Sequence, residues 1–154
     1  MNAPHRTALL ALCLATAVAA AACQKNETQS TTSGTDATTQ APQGVEVARI
    51  DLGKSIGNDN RVTEASDAFH PNETIYASIV TTGSAPSAEL RTRFTFQDGQ
   101  VVDESTRTIA PSGGEAATEF HISKPDGFPV GKYRVEVFVN GTQAGTKEFE
   151  VRSS

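Results

Sequence analysis

From position 45 to position 151, apolar residues recur at every second position over short runs, and Gly, Pro, Asn and Asp separate these runs. A period of two places successive side chains on opposite faces of a strand, so each run predicts a β-strand with one buried face. The seven predicted strands cover residues 45–52, 74–81, 90–96, 100–109, 118–123, 132–139 and 145–151. Because no convincing helical period interrupts them, we expect an all-β domain.

The first run breaks its own alternation. Val45 and Val47 occupy odd positions, whereas Ile50 and Leu52 occupy even positions. Such a slip of one residue indicates either a β-bulge or a strand that passes from one sheet to another.

Two dipeptides predict tight hairpins. Asp98 and Gly99 separate the third and fourth runs, and Asn140 and Gly141 separate the last two. Two-residue hairpin turns need positive φ angles, which Gly, Asn and Asp tolerate. We therefore expect each of these two pairs of runs to form neighbouring antiparallel strands.

Seven short strands within about 105 residues predict a seven-stranded antiparallel sandwich of the immunoglobulin or fibronectin-III type, over residues 45–152. The tryptophan and the disulfide of antibody domains are missing, because the chain has no Trp and both cysteines, Cys13 and Cys23, precede the domain. Phe94 or Phe96 is expected to take the place of the tryptophan.

The segment "FPVGKYRVEVFVNG…KEFEV" (128–151) resembles the last hairpin of many bacterial immunoglobulin-like domains, in which a G-x-Y-x-V motif opens the penultimate strand. Gly131 and Tyr133 occupy the Gly and Tyr of that motif. The resemblance implies a tyrosine corner, in which the phenol of Tyr133 bonds to the backbone near Asp126 or Gly127.

Three longer stretches, "FHPNETIYASIVTTG", "FQDGQVV" and "TEFHISKPDGFPVGKYRVEVFVNG", resemble a group of small uncharacterised bacterial lipoproteins. The resemblance covers most of residues 45–151. It implies a fold and an address in the cell envelope, and it implies no catalytic activity.

The start of the chain predicts export. Arg6 precedes an uncharged run of sixteen residues, 7–22, that ends in alanines. A membrane-spanning helix needs about 20 apolar residues, so this shorter run predicts a cleaved signal peptide over residues 1–22. An uncleaved anchor helix is the alternative.

"AAAC" at positions 20–23 resembles the lipobox of bacterial lipoproteins, with Ala20 where that family prefers Leu. The resemblance implies cleavage before Cys23, diacylglycerol on its sulfur and an acylated N-terminus. Gln24 in place of Asp implies sorting to the outer membrane. Ordinary cleavage after Ala22 is the alternative, although it would leave an unpaired thiol in an oxidising compartment.

The next segment, 24–44, has eight Ser or Thr residues, four Gln and no Val, Ile, Leu or aromatic residue. Such a composition buries too little apolar surface to offset the entropy of ordering, so it predicts a flexible tether. As a coil it has a mean span of about 25 Å, and fully stretched it reaches about 70 Å.

Candidate chemistry within the domain is sparse. His70 and His121 fall in a predicted turn and on the outward face of a strand, so neither predicts a metal site. The Asn- and Asp-rich segments 57–61 and 98–104 do not match the calcium-binding loop, and Ser112 lacks the G-x-S-x-G pattern of a nucleophile. We therefore expect no enzyme activity, no metal and no cofactor.

Arg91, Arg93 and Arg107 are a candidate surface patch. Arg91 and Arg93 share the outward face of one predicted strand, and counting from the Asp98 turn places Arg91 opposite Thr106 on the next. Glu104 lies close enough to pair with these arginines, so a mixed-charge surface is the alternative.

The net charge of −5 argues against nucleic-acid binding, which needs a basic face. Together these features predict a lipid-anchored envelope lipoprotein, in the outer membrane and facing the periplasm. Its sandwich is expected to bind or support another envelope protein or polymer. A small-ligand or calcium-binding periplasmic module is the alternative.

Overall fold

The computed structural model describes residues 44–153, so the predicted signal peptide, Cys23 and nearly all of the predicted tether lie outside the described residues. Among the described residues, no helix is long and apolar enough to cross a membrane. The strands are β1 (Gly44–Ile56), β2 (Val62–Ala65), β3 (Ala68–Phe69), β4 (Ile75–Ser84), β5 (Ala88–Phe96), β6 (Gln100–Ile109), β7 (Ala116–Ile122), β8 (Gly131–Val139) and β9 (Thr142–Val151).

These strands form two sheets that pack face to face. The first sheet has the order β2-β1-β4-β7, and the second has the order β3-β9-β8-β5-β6. Neighbours are antiparallel except for β3 and β9, which are parallel. The predicted all-β sandwich is therefore confirmed.

The predicted count of seven strands is wrong, because the described residues form nine. The sequence pattern misses β2 and β3, between which the chain passes from the first sheet to the second. The four residues of β2 are mostly exposed, and β3 has two residues. Neither is long enough to show an alternation of apolar side chains.

The core lies between the two sheets and centres on Phe149. The ring centre of Phe149 lies 5.3 Å from that of Tyr133, 5.7 Å from that of Phe69 and 6.4 Å from that of Phe94. Phe94 is fully buried, whereas Phe96 is partly buried and packs on Tyr133. Of the two phenylalanines considered for the tryptophan's place, Phe94 therefore lies deeper.

The slip in the first run corresponds to a bulge. The pairing of β1 with β4 shifts register between Val47 and Arg49, which leaves Ala48 as the extra residue. Because of this shift, Val47 and Ile50 both pack against the core.

Of the two predicted hairpin turns, one is confirmed. Asn140 and Gly141 have φ angles of 49° and 80° and form a two-residue turn between the paired residues Val139 and Thr142. Both φ angles are positive, as a two-residue turn of this twist requires.

The other turn contains three residues, 97–99, rather than the predicted two. Its positive φ angles belong to Gln97 and Gly99, at 43° and 97°. A second register shift, after Phe94, compensates for the extra turn residue. Arg91 therefore faces Thr106, as the sequence predicts.

The strands define two ends of the sandwich. At the near end β1 begins, and Gly44 pairs with Ser84, close to the 110–115 connection and the turn after β8. At the far end lie the connections 70–74, 97–99 and 123–130. The nine residues of β8 separate the two ends by about 30 Å.

We predict that Gly53→Ala destabilises the domain by about 1–3 kcal/mol. A Cβ at Gly53 would overlap the carbonyl oxygen of Glu64 and Cγ1 of Val62, because β2 packs closely on this part of β1. Denaturant unfolding measures the loss as a lower midpoint at unchanged slope.

Gly145→Ala is the matched control. Its Cβ would meet the movable tip of Ile50, at 2.9 Å, and no backbone atom. We expect a change smaller than about 1 kcal/mol. Equal losses for the two variants would contradict the close approach of β1 and β2.

Candidate binding cleft

The predicted arginine patch divides between two faces of the sandwich. Arg91 and Arg93 lie on the outer face of the second sheet, over the ring of Phe138 at 4.1 and 5.1 Å. Arg91 pairs with Glu104 at 3.0 Å, and Arg93 pairs with Glu136 at 2.9 Å. This surface is therefore a mixed-charge face.

The structure places Arg107 elsewhere, so the predicted patch of three is wrong. Arg107 pairs with Leu90, whose side chain is buried in the core, and residues that face each other across a ladder share a face. Arg107 reaches instead across the gap to β7, where it lies 3.5 Å from Glu119 and 5.4 Å from the ring centre of Phe120.

The candidate calcium segments are a turn at 57–61 and, at 98–104, the end of a turn followed by the start of β6. In 57–61, the carbonyl of Asn60 accepts a hydrogen bond from Ser78 at 2.7 Å. In 98–104, Glu104 pairs with an arginine on the outer face, while Asp103 accepts a hydrogen bond from Ser105. Within residues 44–153 no group of three or more His, Cys, Asp or Glu side chains could hold a metal ion.

The other candidate side chains are also exposed. His70 belongs to a turn in which the amide of Glu73 donates to its carbonyl. The ring of His121 is about half exposed, and its Nδ1 lies 2.6 Å from Glu119. Ser112 lies in the 110–115 connection and bridges to Ser84 at the near end.

Sequence reasoning misses a clamp on the outer face of the first sheet. Glu115 accepts hydrogen bonds from Arg49 and Arg61, both at 3.1 Å. The hydrogen bond from Arg61 and the charge of Arg49 lower the pKa of Glu115. The clamp ties the 57–61 turn to the near end, and it can be found from the sequence only when the strand order is known.

The seam between β6 and β7 is where the two sheets meet without hydrogen-bonding each other. Each strand is the last of its sheet. Arg107 bridges the seam towards the near end, through Glu119 and Phe120. Towards the far end the seam opens into a cleft of about 440 Å³.

Aromatic side chains form the floor of this seam cleft. The residues that line it are Phe96, Phe128 and Tyr133. The ring centre of Tyr133 lies 4.8 Å from that of Phe96 and 6.1 Å from that of Phe128. Gly131 is required beneath them, because a Cβ there would lie 2.7 Å from Cε2 of Phe96.

The tyrosine corner differs from the expected one in its acceptor. The hydroxyl of Tyr133 donates to the carbonyl of Pro129 at 2.7 Å, and not near Asp126 or Gly127. Phe128 is buried against the ring of Tyr133, and this contact places the carbonyl of Pro129 next to the phenol hydroxyl. Burial also raises the pKa of Tyr133.

The walls of the seam cleft are the two edge strands and the segments that extend them. One wall is 100–103 of β6, and the other is 121–124, which includes the end of β7. Val101 and Val130, the two large apolar residues that stand exposed among the described residues, are 53% and 55% exposed. Val101 lines the seam cleft and Val130 follows Pro129, which also lines it.

A larger groove of about 650 Å³ lies beside it, over the ends of β8 and β9. It is the weaker candidate because most of its charged side chains are paired within the domain. Arg134 pairs with Glu148 at 3.3 Å, and Asp67 pairs with Lys147 at 3.2 Å. The seam cleft instead combines an apolar floor with two strand edges.

The seam cleft has a weak sequence signal. Its lining comes from four separate segments, which only the strand order brings together. The aromatic residues at positions 96, 128 and 133 read in the sequence as core residues. The exposed Val101 and Val130 are the one local hint, since valines on a surface favour an interaction site when they cluster.

Comparisons with known proteins assign a family and a fold. Residues 43–152 match a family described as a domain of unknown function (DUF8428). No curated protein matches the sequence.

Three solved structures resemble the chain. The C-terminal domain of wzt has a TM-score of 0.53 at 9% identity, over 74% of this chain and 77% of that chain. An immunoglobulin-like protein from Pseudomonas aeruginosa has a TM-score of 0.46 at 16% identity, over 71% and 97%.

The alkylpurine DNA glycosylase AlkC of Pseudomonas fluorescens, bound to DNA containing an abasic site analog, has a TM-score of 0.48 at 19% identity, over 72% of this chain. This chain spans 31% of the glycosylase. At 9% identity, the likeness to the wzt domain shows a shared fold alone.

We predict that Tyr133→Phe destabilises the domain by about 1 kcal/mol, because the hydrogen bond from its hydroxyl to the carbonyl of Pro129 is lost. Tyr76→Phe is the control, since Tyr76 lies half-buried on the outer face and its hydroxyl bonds to none of the described residues. We expect the control to stay within about 0.5 kcal/mol of wild type.

The same pair of variants tests the raised pKa of Tyr133. In the unfolded chain the phenol ionises near pH 10.0, before the buried phenol does, so the contribution of Tyr133 to stability falls above that pH. Tyr133→Phe should remove this part of the alkaline loss. An unchanged loss, or equal costs for the two variants at neutral pH, would contradict the tyrosine corner.

Proposed function

We propose that this chain, which belongs to the DUF8428 family, is a lipid-anchored envelope protein whose sandwich is a non-catalytic binding module. It carries its lipid on Cys23, sits in the outer membrane facing the periplasm, and presents the seam cleft to another envelope protein or polymer. The observation that carries the proposal is the placement of Gly44 and the seam cleft at opposite ends of the domain.

The anchor rests on the sequence. The uncharged run 7–22 leads into "AAAC" at positions 20–23. Lipoproteins with a lipobox carry lipid on the cysteine of the box, which here is Cys23. Two or three acyl chains give stable membrane attachment, whereas a single chain gives marginal binding. The domain itself contains no cysteine that could pair with Cys23.

The geometry of the domain agrees with a tethered receptor. The tether reaches the domain at Gly44, at the near end. The seam cleft lies at the far end, about 30 Å away along β8. With a tether of about 25 Å mean span, this arrangement holds the seam cleft clear of the bilayer surface.

The chemistry of the seam cleft suits recognition. Its floor is aromatic, and its polar groups, among them Asp103, His121 and Lys124, stand on opposite walls. An aromatic floor offers apolar contact to a ligand, and polar groups on the walls can fix its orientation. The proposal includes no nucleic acid, because the chain carries a net charge of −5.

Binding of a small periplasmic ligand is the second candidate. The volume of the seam cleft, about 440 Å³, lies within the range of about 300–1,000 Å³ common for small-molecule sites. Calcium is the weaker form of this candidate, since the 57–61 and 98–104 segments do not converge their oxygen atoms.

We predict that Cys23→Ala moves the protein from the outer-membrane fraction to the soluble periplasmic fraction. The variant keeps every residue of the domain but has no sulfur to receive diacylglycerol. Metabolic labelling with palmitate should mark the wild-type protein and leave the variant unlabelled.

Cys13→Ala is the matched control and should retain both the label and the membrane location. A Cys23→Ala variant that stays in the membrane fraction would contradict lipid anchoring. Export of that variant to the periplasm with the peptide removed would still support the predicted signal sequence.

For the second candidate, a thermal-shift screen of the Cys23→Ala chain with calcium chloride and with envelope sugars is decisive. A ligand that binds the folded state at 100 times its dissociation constant adds about 2.7 kcal/mol and raises the Tm. We expect no shift with any of these probes. A dose-dependent rise that Val101→Asp abolishes would favour the small-ligand candidate.

A further inference from the structure

We propose that the seam cleft binds its partner as an extended peptide, which adds a strand to the free edge of β7. The proposal rests on the proposed function, because it specifies the partner of the same cleft. The peptide would place one apolar side chain on the aromatic floor, and an acidic side chain two residues away would meet Lys124.

Four strands lie at the edges of the two sheets: β2, β3, β6 and β7. Proteins block such edges with short strands, bulges or inward-pointing charges, because a free edge pairs with other chains. β2 has four residues with shifted register, and β3 has two. The pairing of β6 with β5 shifts register after Phe94 of β5, and Arg107 of β6 points inward.

β7 has none of these features of its own, although Arg107 of β6 reaches its edge at Glu119 and Phe120. Its seven residues pair with β4 in continuous register from Ile75 to Thr81. Its inward side chains at Phe120 and Ile122 are buried and apolar. The far-end part of β7, at His121 and Ile122, is therefore the part of a sheet edge in the described domain that stays open to another strand.

The aromatic floor of the seam cleft lies beside the β7 edge. A peptide that pairs with β7 would lie in the seam, with alternate side chains directed between the sheets. Phe96 and Phe128 line the seam cleft at this level, next to Ile122. An apolar side chain of the peptide would cover them, together with the exposed Val101.

The charge of Lys124 also favours a peptide partner with an acidic side chain. Lys124 lines the seam cleft two residues beyond Ile122, just after the end of β7. Lys124 makes no ion pair with any residue of 44–153. A carboxylate two positions from the apolar residue of the peptide would supply its partner.

The chain's own tether does not fit as the occupant. Residues 24–44 have no Val, Ile, Leu or aromatic side chain for the aromatic floor. The occupant is therefore a segment of a partner protein, and a second copy of this chain is the competing occupant that the test must separate.

The test uses the full Cys23→Ala chain, which keeps the domain in solution, and a phage-displayed library of random octapeptides. We expect enrichment of peptides with an apolar residue two positions from Asp or Glu. In titration calorimetry, Lys124→Glu should weaken the best synthetic peptide by about tenfold or more, and exchanging the peptide's acid for Lys should restore binding.

Lys132→Glu is the matched control, since Lys132 is an exposed lysine at the same end and lies outside the seam cleft. It should bind like wild type. N-methylation of the peptide backbone then tests strand addition directly. Methylating one alternate set of amides should abolish binding and methylating the other set should not, because alternate amides of an added strand face β7.

Equal effects of both methylated sets, or an equal loss with Lys124→Glu and Lys132→Glu, would overturn strand addition. Failure to enrich any peptide would also overturn it. A chain that sediments as a dimer, and whose dimer the peptide disperses, would assign the β7 edge to a second copy.

The proposal can fail independently of the lipid anchor. Peptide binding by the Cys23→Ala chain with no change in membrane fractionation would overturn the anchor and leave strand addition standing. Normal anchoring without peptide binding would do the reverse.

Discussion

The stacking of Tyr133 on Phe149 joins the core of this domain to the loop that shapes its far end. The two rings are nearly parallel, with an interplanar angle of 18°. Phe149 carries the packing inward to Phe69 and Phe94, and the hydroxyl of Tyr133 carries it outward to Pro129. If this contact is weakened, the core, the 123–130 connection and the floor of the seam cleft all lose a support.

The open seam follows from the way the sandwich ends. A sandwich of two sheets leaves an edge strand on each side of each sheet, and only a closed barrel removes them. Here Arg107 closes the near-end half of the seam through Glu119 and Phe120, and the far-end half stays open over the aromatic floor. Because Arg107 reaches β7 at Glu119 and Phe120, the open part of the β7 edge lies at the far end, where we propose that a peptide adds a strand.

Local chemistry in the sequence is enough to predict most of the fold. The alternation of apolar residues finds the seven longer strands, the slip after Val47 finds the bulge, and Asn140 with Gly141 finds a hairpin. The method fails for β2 and β3, because strands of four and two residues carry no periodicity of their own. It also predicts two residues instead of three for the turn at 97–99. The register shift after Phe94 compensates for the extra residue, so Arg91 still faces Thr106.

The binding site is much less predictable, because it depends on which strands become edges. Arg107 illustrates this: its neighbours in the sequence suggest a surface patch, whereas the register with Leu90 turns it towards the seam. The lining of the seam cleft comes from β5, β6, β7, β8 and the 123–130 connection, and no local pattern links them. Its aromatic residues serve the core and the floor at once, so the sequence marks them as core.

The account is tested most directly by photocrosslinking of the full chain in the cells that express it. p-Benzoylphenylalanine replaces Val101, which is 53% exposed beside the seam cleft, or Gln143, which is exposed at the near end. The account predicts a discrete crosslinked partner from position 101 and none from position 143. Crosslinks from position 143 with none from position 101 would contradict it.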